Sequence, residues 1–201
     1  MLYIAHRINT INQLKQLDKK YGIEIDIRDN GKNLIVVHDP LKKGILLKSF
    51  LKFYKHRILI ANIKSERIED EVIKLFKKNN IINYFFLDSS FPKIIDLVKK
   101  KFKKIALRVS FYESAIIAKK LKGKVNWIWF DTFKGMPNKS ELIFLKKLNY
   151  KICLVSPELH GIKLNKQKKI VKNIVQSELI DAVCTKDRFF KNWSIKDNYL
   201  K

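Results

Sequence analysis

Several things are scarce in this chain of 201 residues. There are two cysteines, Cys153 and Cys184, each inside an apolar run (151–155 and 180–184). Two such residues read as small core hydrophobes and exclude both a secreted disulfide framework and a cysteine metal site. Six glycines are too few for the glycine-rich phosphate loops of nucleotide-binding sheets, and none follows an apolar strand-like run. No apolar stretch reaches transmembrane length, and His6 and Arg7 interrupt the start before a signal-peptide core could form, so the expected location is the cytoplasm. Acidic residues are also few, 19 Asp and Glu against 43 Lys and Arg, for a formal charge of +24. The lysines come as doublets and triplets on nearly every amphipathic segment (Lys77-Lys78, Lys99 to Lys101, Lys146-Lys147), which reads as a solvated coat rather than one nucleic-acid face. No specific nucleic-acid partner is expected, although such a coat speeds encounters with phosphate-bearing molecules.

What is abundant is short apolar runs alternating with helical stripes. Runs expected as strands are Leu2 to Ala5, Ile23 to Ile27, Ile58 to Lys64, Tyr84 to Leu87, Ile105 to Val109, Trp127 to Phe130, Ile152 to Val155 and Ile180 to Val183. Helical spacing is expected between them, around Leu46 to Tyr54, after an N-cap at Ser65, and around Ile94 to Lys101, Ser114 to Leu121, Glu141 to Leu148 and Gln167 to Val175. Continuous apolar strands separated by helices imply a parallel sheet covered on both faces. Eight strands are the number that closes a (β/α)8 barrel, so the expected fold is a compact TIM barrel over residues 1–201 as one domain. An extra hairpin strand follows the second strand, because Asn30-Gly31 is a tight-turn signal before the run Leu34 to Val37.

The residues with chemistry sit at strand ends. On an extended strand Glu24 and Asp26 project to one face and Ile23, Ile25 and Ile27 to the other. Two neighbouring carboxylates on a buried strand repel each other and lose hydration, which is costly unless a cation sits between them. His6 and Arg7 follow the first strand, His38 and Asp39 follow the hairpin, and Asn62 and Lys64 end the third strand. Two histidines, paired carboxylates and an arginine are the parts for metal-assisted phosphodiester cleavage. Further along, Asp131, Glu113 and His160 are rim candidates, His56 reads as structural or exposed, and Trp127 and Trp129 share one strand face as core packing.

In this order the sequence resembles the glycerophosphodiester phosphodiesterase family, within the phosphatidylinositol-phospholipase-like phosphodiesterases. The family's His-Arg-Gly looks like His6-Arg7-Ile8 here, its Glu-x-Asp and following His-Asp like Glu24-Ile25-Asp26 and His38-Asp39, and its Glu-x-Lys like Asn62-Ile63-Lys64. Ile180-Asp181-Ala182-Val183-Cys184-Thr185-Lys186-Asp187 is similar to its final strand. The resemblance implies a (β/α)8 barrel and a metal-dependent hydrolase of phosphoric diesters. It also implies His6 and His38 as general acid and base, Glu24, Asp26 and Asn62 as ligands of one divalent cation (Mg²⁺ or Ca²⁺), and Arg7 and Lys64 as holders of the substrate phosphate. The substrate would be a small glycerophosphodiester or related polyol-phosphate diester. The chain departs from the pattern at Ile8, at Asn62 where a carboxylate is usual, at Asn9-Thr10 in place of a glutamate-asparagine pair, and in the short stretch Pro40 to Arg57. The competing reading is a catalytically weak or inactive barrel that binds anionic phosphate ligands, with Asn62 marking a decayed metal site. A nucleic-acid phosphodiesterase is a third reading and rests on charge alone.

Overall fold

The hairpin at Asn30-Gly31 is present in the computed structural model, which describes residues 1–194, and it is built by side chains as much as by backbone. Gly31 takes a left-handed φ of 84°, and Asn30 Oδ1 accepts from the amides of Lys32 and Asn33 at 3.3 and 2.9 Å. The connection therefore spans 30–33, longer than the tight turn expected, because the Asn30 side chain closes it. It joins β2 (Gly22–Asp29) to β3 (Leu34–Val36), which lie antiparallel with Ile27 opposite Val36. The strand before them is β1 (Leu2–Ala5), and between them lies α1 (Ile11–Gln16), whose first turn is closed by a reciprocal capping box of Thr10 and Gln13.

The described chain falls into two compact units. The first is Ala5–Ile105. Beyond β3 it holds a two-residue strand that the sequence did not announce, β4 (Ile45–Leu46), paired antiparallel to β3. Gly44 makes that pairing possible, since a Cβ there would lie 2.8 Å from the Val36 carbonyl oxygen. Next come α2 (Leu47–Leu51), β5 (Leu59–Ile63), α3 (Glu69–Lys78), β6 (Tyr84–Leu87) and α4 (Phe91–Lys99). The strands run in the order β4-β3-β2-β5-β6, with β5 parallel to both β2 and β6. Asp26 is thereby the cross-strand neighbour of Asn62.

Ser65 does not cap the following helix. Its hydroxyl accepts from the amide of Asp29, and α3 starts four residues later, after Ile68, with no side-chain cap. What supports that helix is charge: Glu69, Asp70 and Glu71 fill its first turn and Lys77 and Lys78 its last, which complements the macrodipole. Lys93 of α4 reaches Asp70 at 2.6 Å and Asp96 at 3.0 Å, tying α3 to α4.

The second unit comprises Met1–Ile4 and the chain from Ala106 onward. Its elements are β7 (Ala106–Val109), α5 (Ile116–Lys120), β8 (Trp127–Phe130), α6 (Lys139–Lys147), β9 (Lys151–Val155), α7 (Lys168–Gln176) and β10 (Ala182–Thr185). From β7 to β10 each strand is parallel to the next, and β10 also neighbours β1. The last strand starts two residues later than its apolar run suggests. Asp181 turns its carboxylate onto the Ile152 amide (2.7 Å) and Lys146 (2.9 Å), so regular pairing begins only at Ala182. Cys153 and Cys184 are buried, and so are Trp127 and Trp129, as their positions implied.

His56, read as structural or exposed, is buried in the first unit. Its Nε2 bonds the Leu17 carbonyl at 3.2 Å while Nδ1 is enclosed with no hydrogen-bond partner. Burial pushes this imidazole below its ordinary value, only partly opposed by the Leu17 carbonyl. The unfolded chain therefore takes up the proton first as pH falls. The neutral His56 contributes its full stability above about pH 6.5, and that contribution is lost as pH drops through the lowered folded value. Urea midpoints of the parent should fall more steeply between pH 7.5 and 5.5 than those of His56→Gln; parallel slopes would remove His56 from the pH response.

Candidate active site

The seven residues singled out by sequence all lie in the first unit and form one connected network. β2 carries Glu24 and Asp26 on the same face, both completely buried. Just past β1 the chain turns at Arg7, a non-glycine residue with φ 56°. That turn aims the Arg7 amide at Glu24 Oε2 (2.7 Å), while the Ile8 amide meets the Glu24 carbonyl (2.8 Å). His6 Nε2 stands 3.9 Å from the same Oε2. The other oxygen, Oε1, accepts from Asn62 Nδ2 at 2.8 Å. Asp26 Oδ2 accepts from Asn9 Nδ2 at 2.8 Å, and the Asp26 amide returns a bond to Asn9 Oδ1 at 3.0 Å. Lys64 Nζ bonds Asp88 at 2.8 Å and lies 3.9 Å from Asp26 Oδ1.

His38 is held from both sides. Its Nε2 is 2.6 Å from Arg7 Nη2 and its Nδ1 2.7 Å from Asp39 Oδ1. A guanidinium only donates, so in this arrangement Nε2 is the lone-pair nitrogen and Nδ1 carries the hydrogen given to Asp39. His6 and His38 are linked through Arg7 rather than to each other.

Two oxygens in this network are buried and lack a hydrogen bond: Asp26 Oδ1 and Asn62 Oδ1. Leaving such atoms unsatisfied is costly. The Glu24 carboxyl is pushed up to about 8, first by burial and then by the charge of Asp26, against the pull of Asn62, the Arg7 amide and Lys64. Both facts describe a site short of positive charge. Hard oxygen donors on neighbouring strands fit a divalent cation of the Mg²⁺ or Ca²⁺ kind. Among the described residues no group of three or more His, Cys, Asp and Glu is arranged to hold a metal ion; the third oxygen here belongs to the Asn62 amide.

Two members of the network escaped the sequence reading. Asn9 reads as the remnant of a lost pair, yet its side-chain amide both donates to the Asp26 carboxylate and accepts from the Asp26 backbone amide. Arg28 drew no notice within the turn sequence, yet its Nε donates to the His38 carbonyl (2.9 Å) and its Nη1 to the Lys64 carbonyl (2.6 Å). It holds the ends of two strands together just where His38 and Lys64 leave them. Only the arginine's position two residues past Asp26, on the same strand face, gave any signal.

The weaker candidates gather in the second unit. Asp131, just past β8, is 3% exposed and accepts from Arg108, Trp129 and His160. His160, a rim candidate in the sequence, sits on a short 3₁₀ turn after β9. Glu113 accepts from Ser110 Oγ at 2.9 Å.

This architecture is the (β/α)8 barrel, with β3 and β4 as the added hairpin strands. It is shared with solved glycerophosphodiester phosphodiesterases. A phosphodiesterase of Oleispira antarctica, solved with the product sn-glycerol-3-phosphate, superposes with a TM-score of 0.68 at 16% identity, over 98% of this chain and 95% of that one. The glycerophosphodiester phosphodiesterase of Agrobacterium tumefaciens gives 0.64 at 13% identity, over 92% and 96%. That of Parabacteroides distasonis gives 0.64 at 15%, over 92% of each chain. No family model matches the sequence, and no curated protein does.

The Arg28 bonds make a stability test of the network. Arg28→Met strands two carbonyls and should cost about 1–2 kcal/mol, while Arg28→Lys, which cannot fork, should recover part of that. Urea unfolding of the three proteins gives the order; a Met variant as stable as the parent would show that water replaces both bonds.

Proposed function

We propose that the chain is a cytoplasmic, metal-dependent phosphodiesterase that cleaves a glycerophosphodiester or a related polyol-phosphate diester. The observation that carries this reading is the pair of buried, unpartnered oxygens of Asp26 and Asn62 beside Glu24, flanked by two histidines and two cationic side chains. A soluble binding protein has no physical reason to retain such costly groups together. Support for the substrate class comes from the shared fold and from the sn-glycerol-3-phosphate held by the Oleispira antarctica enzyme.

Glu24, Asp26 and Asn62 are the residues that would hold a divalent cation. Bound there, it would neutralise the diester's charge and polarise a phosphoryl oxygen. Asn9 and the Arg7 amide fix the carboxylates' outer oxygens, leaving Asp26 Oδ1 and Asn62 Oδ1 for that role. The Arg7 fork is exposed and rests on His38 Nε2. A diester phosphate is a better partner for it, and when Arg7 turns to the phosphate it uncovers the His38 lone pair. His38 then takes the proton from the attacking oxygen, of water or of a neighbouring substrate hydroxyl, as that oxygen bonds phosphorus and the P–O bond to the alkoxide breaks, with Asp39 steadying the imidazolium through Nδ1. His6, on the opposite side of Arg7 in the chain and against Glu24, supplies the proton to the departing alkoxide. Lys64 neutralises the phosphate from the Asp26 side.

Hydrolysis of glycerophosphocholine, a glycerol-phosphate polymer fragment and bis-p-nitrophenyl phosphate should require Mg²⁺ or Ca²⁺ and vanish with chelator. His6→Ala and His38→Ala should each lower kcat by about 10²- to 10⁴-fold. Asn62→Glu restores a third carboxylate and should tighten cation binding, measured by calorimetry without substrate, by about tenfold. Turnover that ignores chelator would remove the cation from the mechanism. No turnover together with no cation binding would establish the alternative, a barrel that only binds anionic phosphates.

A further inference from the structure

The second unit carries a surface that the proposed reaction does not use. Phe111 and Tyr112 are 72% and 64% exposed and Phe133 is 41% exposed, yet the three rings are neighbours. Phe111 meets Tyr112 edge to face with centroids 5.2 Å apart, and Tyr112 lies 6.4 Å from Phe133. Ile116, at the start of α5 in the same stretch, is 67% exposed. Isolated exposed rings are ordinary, but contiguous ones mark interaction surfaces.

The rings are held out by a rigid base. Ser110 and Glu113 exchange backbone bonds in both directions (3.0 and 3.2 Å), and Ser110 Oγ also bonds the Tyr112 and Glu113 amides and the Glu113 carboxylate. This tight polar turn projects Phe111 and Tyr112 from its tip. Phe133 is set by His160, 4.5 Å away between ring centroids, and His160 is itself fixed on buried Asp131 together with Arg108. Lys134 places its ammonium over both Phe111 (4.9 Å) and Tyr112 (5.1 Å). Lys119 and Lys120 lie at the end of α5. The one acid in the turn, Glu113, is engaged by Ser110 and by Arg108 at 3.8 Å.

We propose that this aromatic and basic patch docks the protein on an anionic lipid surface. Aromatic rings favour the headgroup region, and each nearby lysine adds attraction to an anionic leaflet. With a formal charge of +24, the whole chain is complementary to such a surface. The same charge opposes pairing with a second copy through a patch that has Lys134 at its centre. Single-stranded nucleic acid needs open ring faces spaced for successive bases. Here Lys134 covers two of the faces, and the rings stand at 85° and 51° to each other.

Co-sedimentation of the full chain with vesicles tests this at physiological ionic strength, independently of any hydrolysis. The protein should bind phosphatidylcholine–phosphatidylglycerol vesicles and not phosphatidylcholine alone. A Phe111→Ser, Tyr112→Ser double variant keeps the net charge and should lose about tenfold or more in partitioning. Lys134→Gln should lose about fivefold. Both should melt at the parent's temperature, because all three side chains are exposed. Undiminished binding by the ring variant would assign attachment to the general lysine coat and overturn the proposal. So would no binding by the parent, an oligonucleotide whose affinity depends on the same rings, or a ring-dependent dimer in sedimentation.

Discussion

The constraint on which the site depends is the burial of two carboxylates two residues apart on one strand. Glu24 and Asp26 have no access to water, and at their separation their mutual repulsion is poorly screened. The surrounding sequence answers with donors. Arg7 gives its amide, Asn62 and Asn9 their side-chain amides, and Lys64 its charge at 3.9 Å. Four residues, from the loop after β1 and the end of β5, are thereby drawn to one strand face by a single electrostatic demand. The answer is incomplete, because Asp26 Oδ1 and Asn62 Oδ1 find no donor, and the Glu24 carboxyl stays raised by burial. A fold optimised only for stability would have replaced one acid with an apolar residue.

Placing those donors bends the backbone where it leaves the strands. Arg7 and Asp88 both adopt left-handed φ, 56° and 59°, without being glycine, at a cost of order 1 kcal/mol each. At Arg7 the strain delivers an amide to Glu24 and a guanidinium to His38 from one residue. At Asp88 it accompanies a carboxylate that anchors Lys64. Arg28 then locks the outgoing chain at His38 and Lys64 through their carbonyls. These residues work as a unit, since moving any one of them changes the partner of the next.

The legible part of this arrangement was the part with a local price. Glu24 and Asp26 on an apolar strand, and His6-Arg7 and His38-Asp39 at strand ends, are expensive in isolation and so announce themselves. The barrel class followed from the alternating runs. What escaped were groups whose value exists only across the sheet. Asn9, Arg28 and the Arg108–Asp131–His160 cluster are each unremarkable in their own stretch and acquire meaning from partners up to 36 residues away. Ser65 shows the converse error, a good local cap signal overruled because the Asp29 amide on a neighbouring strand needed an acceptor. Asp181 likewise displaced the start of β10 by taking the Ile152 amide with its side chain.

The basic character of the chain divides along the same line between placed and unplaced charge. Arg7, Arg28, Lys64 and Arg108 are engaged by named acceptors at strand ends, whereas most lysines are exposed, on helices and in the connecting loops alike. The unplaced charge sets a long-range field that raises the local concentration of any anion and is weakened by salt. It cannot choose among anions. Choice requires cations whose position is fixed by buried partners, because only these keep their geometry when water is displaced. Lys64 is placed in this way between half-buried Asp88 and fully buried Asp26, while buried Glu24 fixes the Arg7 backbone and leaves its exposed guanidinium on His38, able to turn. The lysine coat thus sets how often any anion arrives, and under the proposed reaction the hydrogen-bonded strand ends would set which phosphodiester is held.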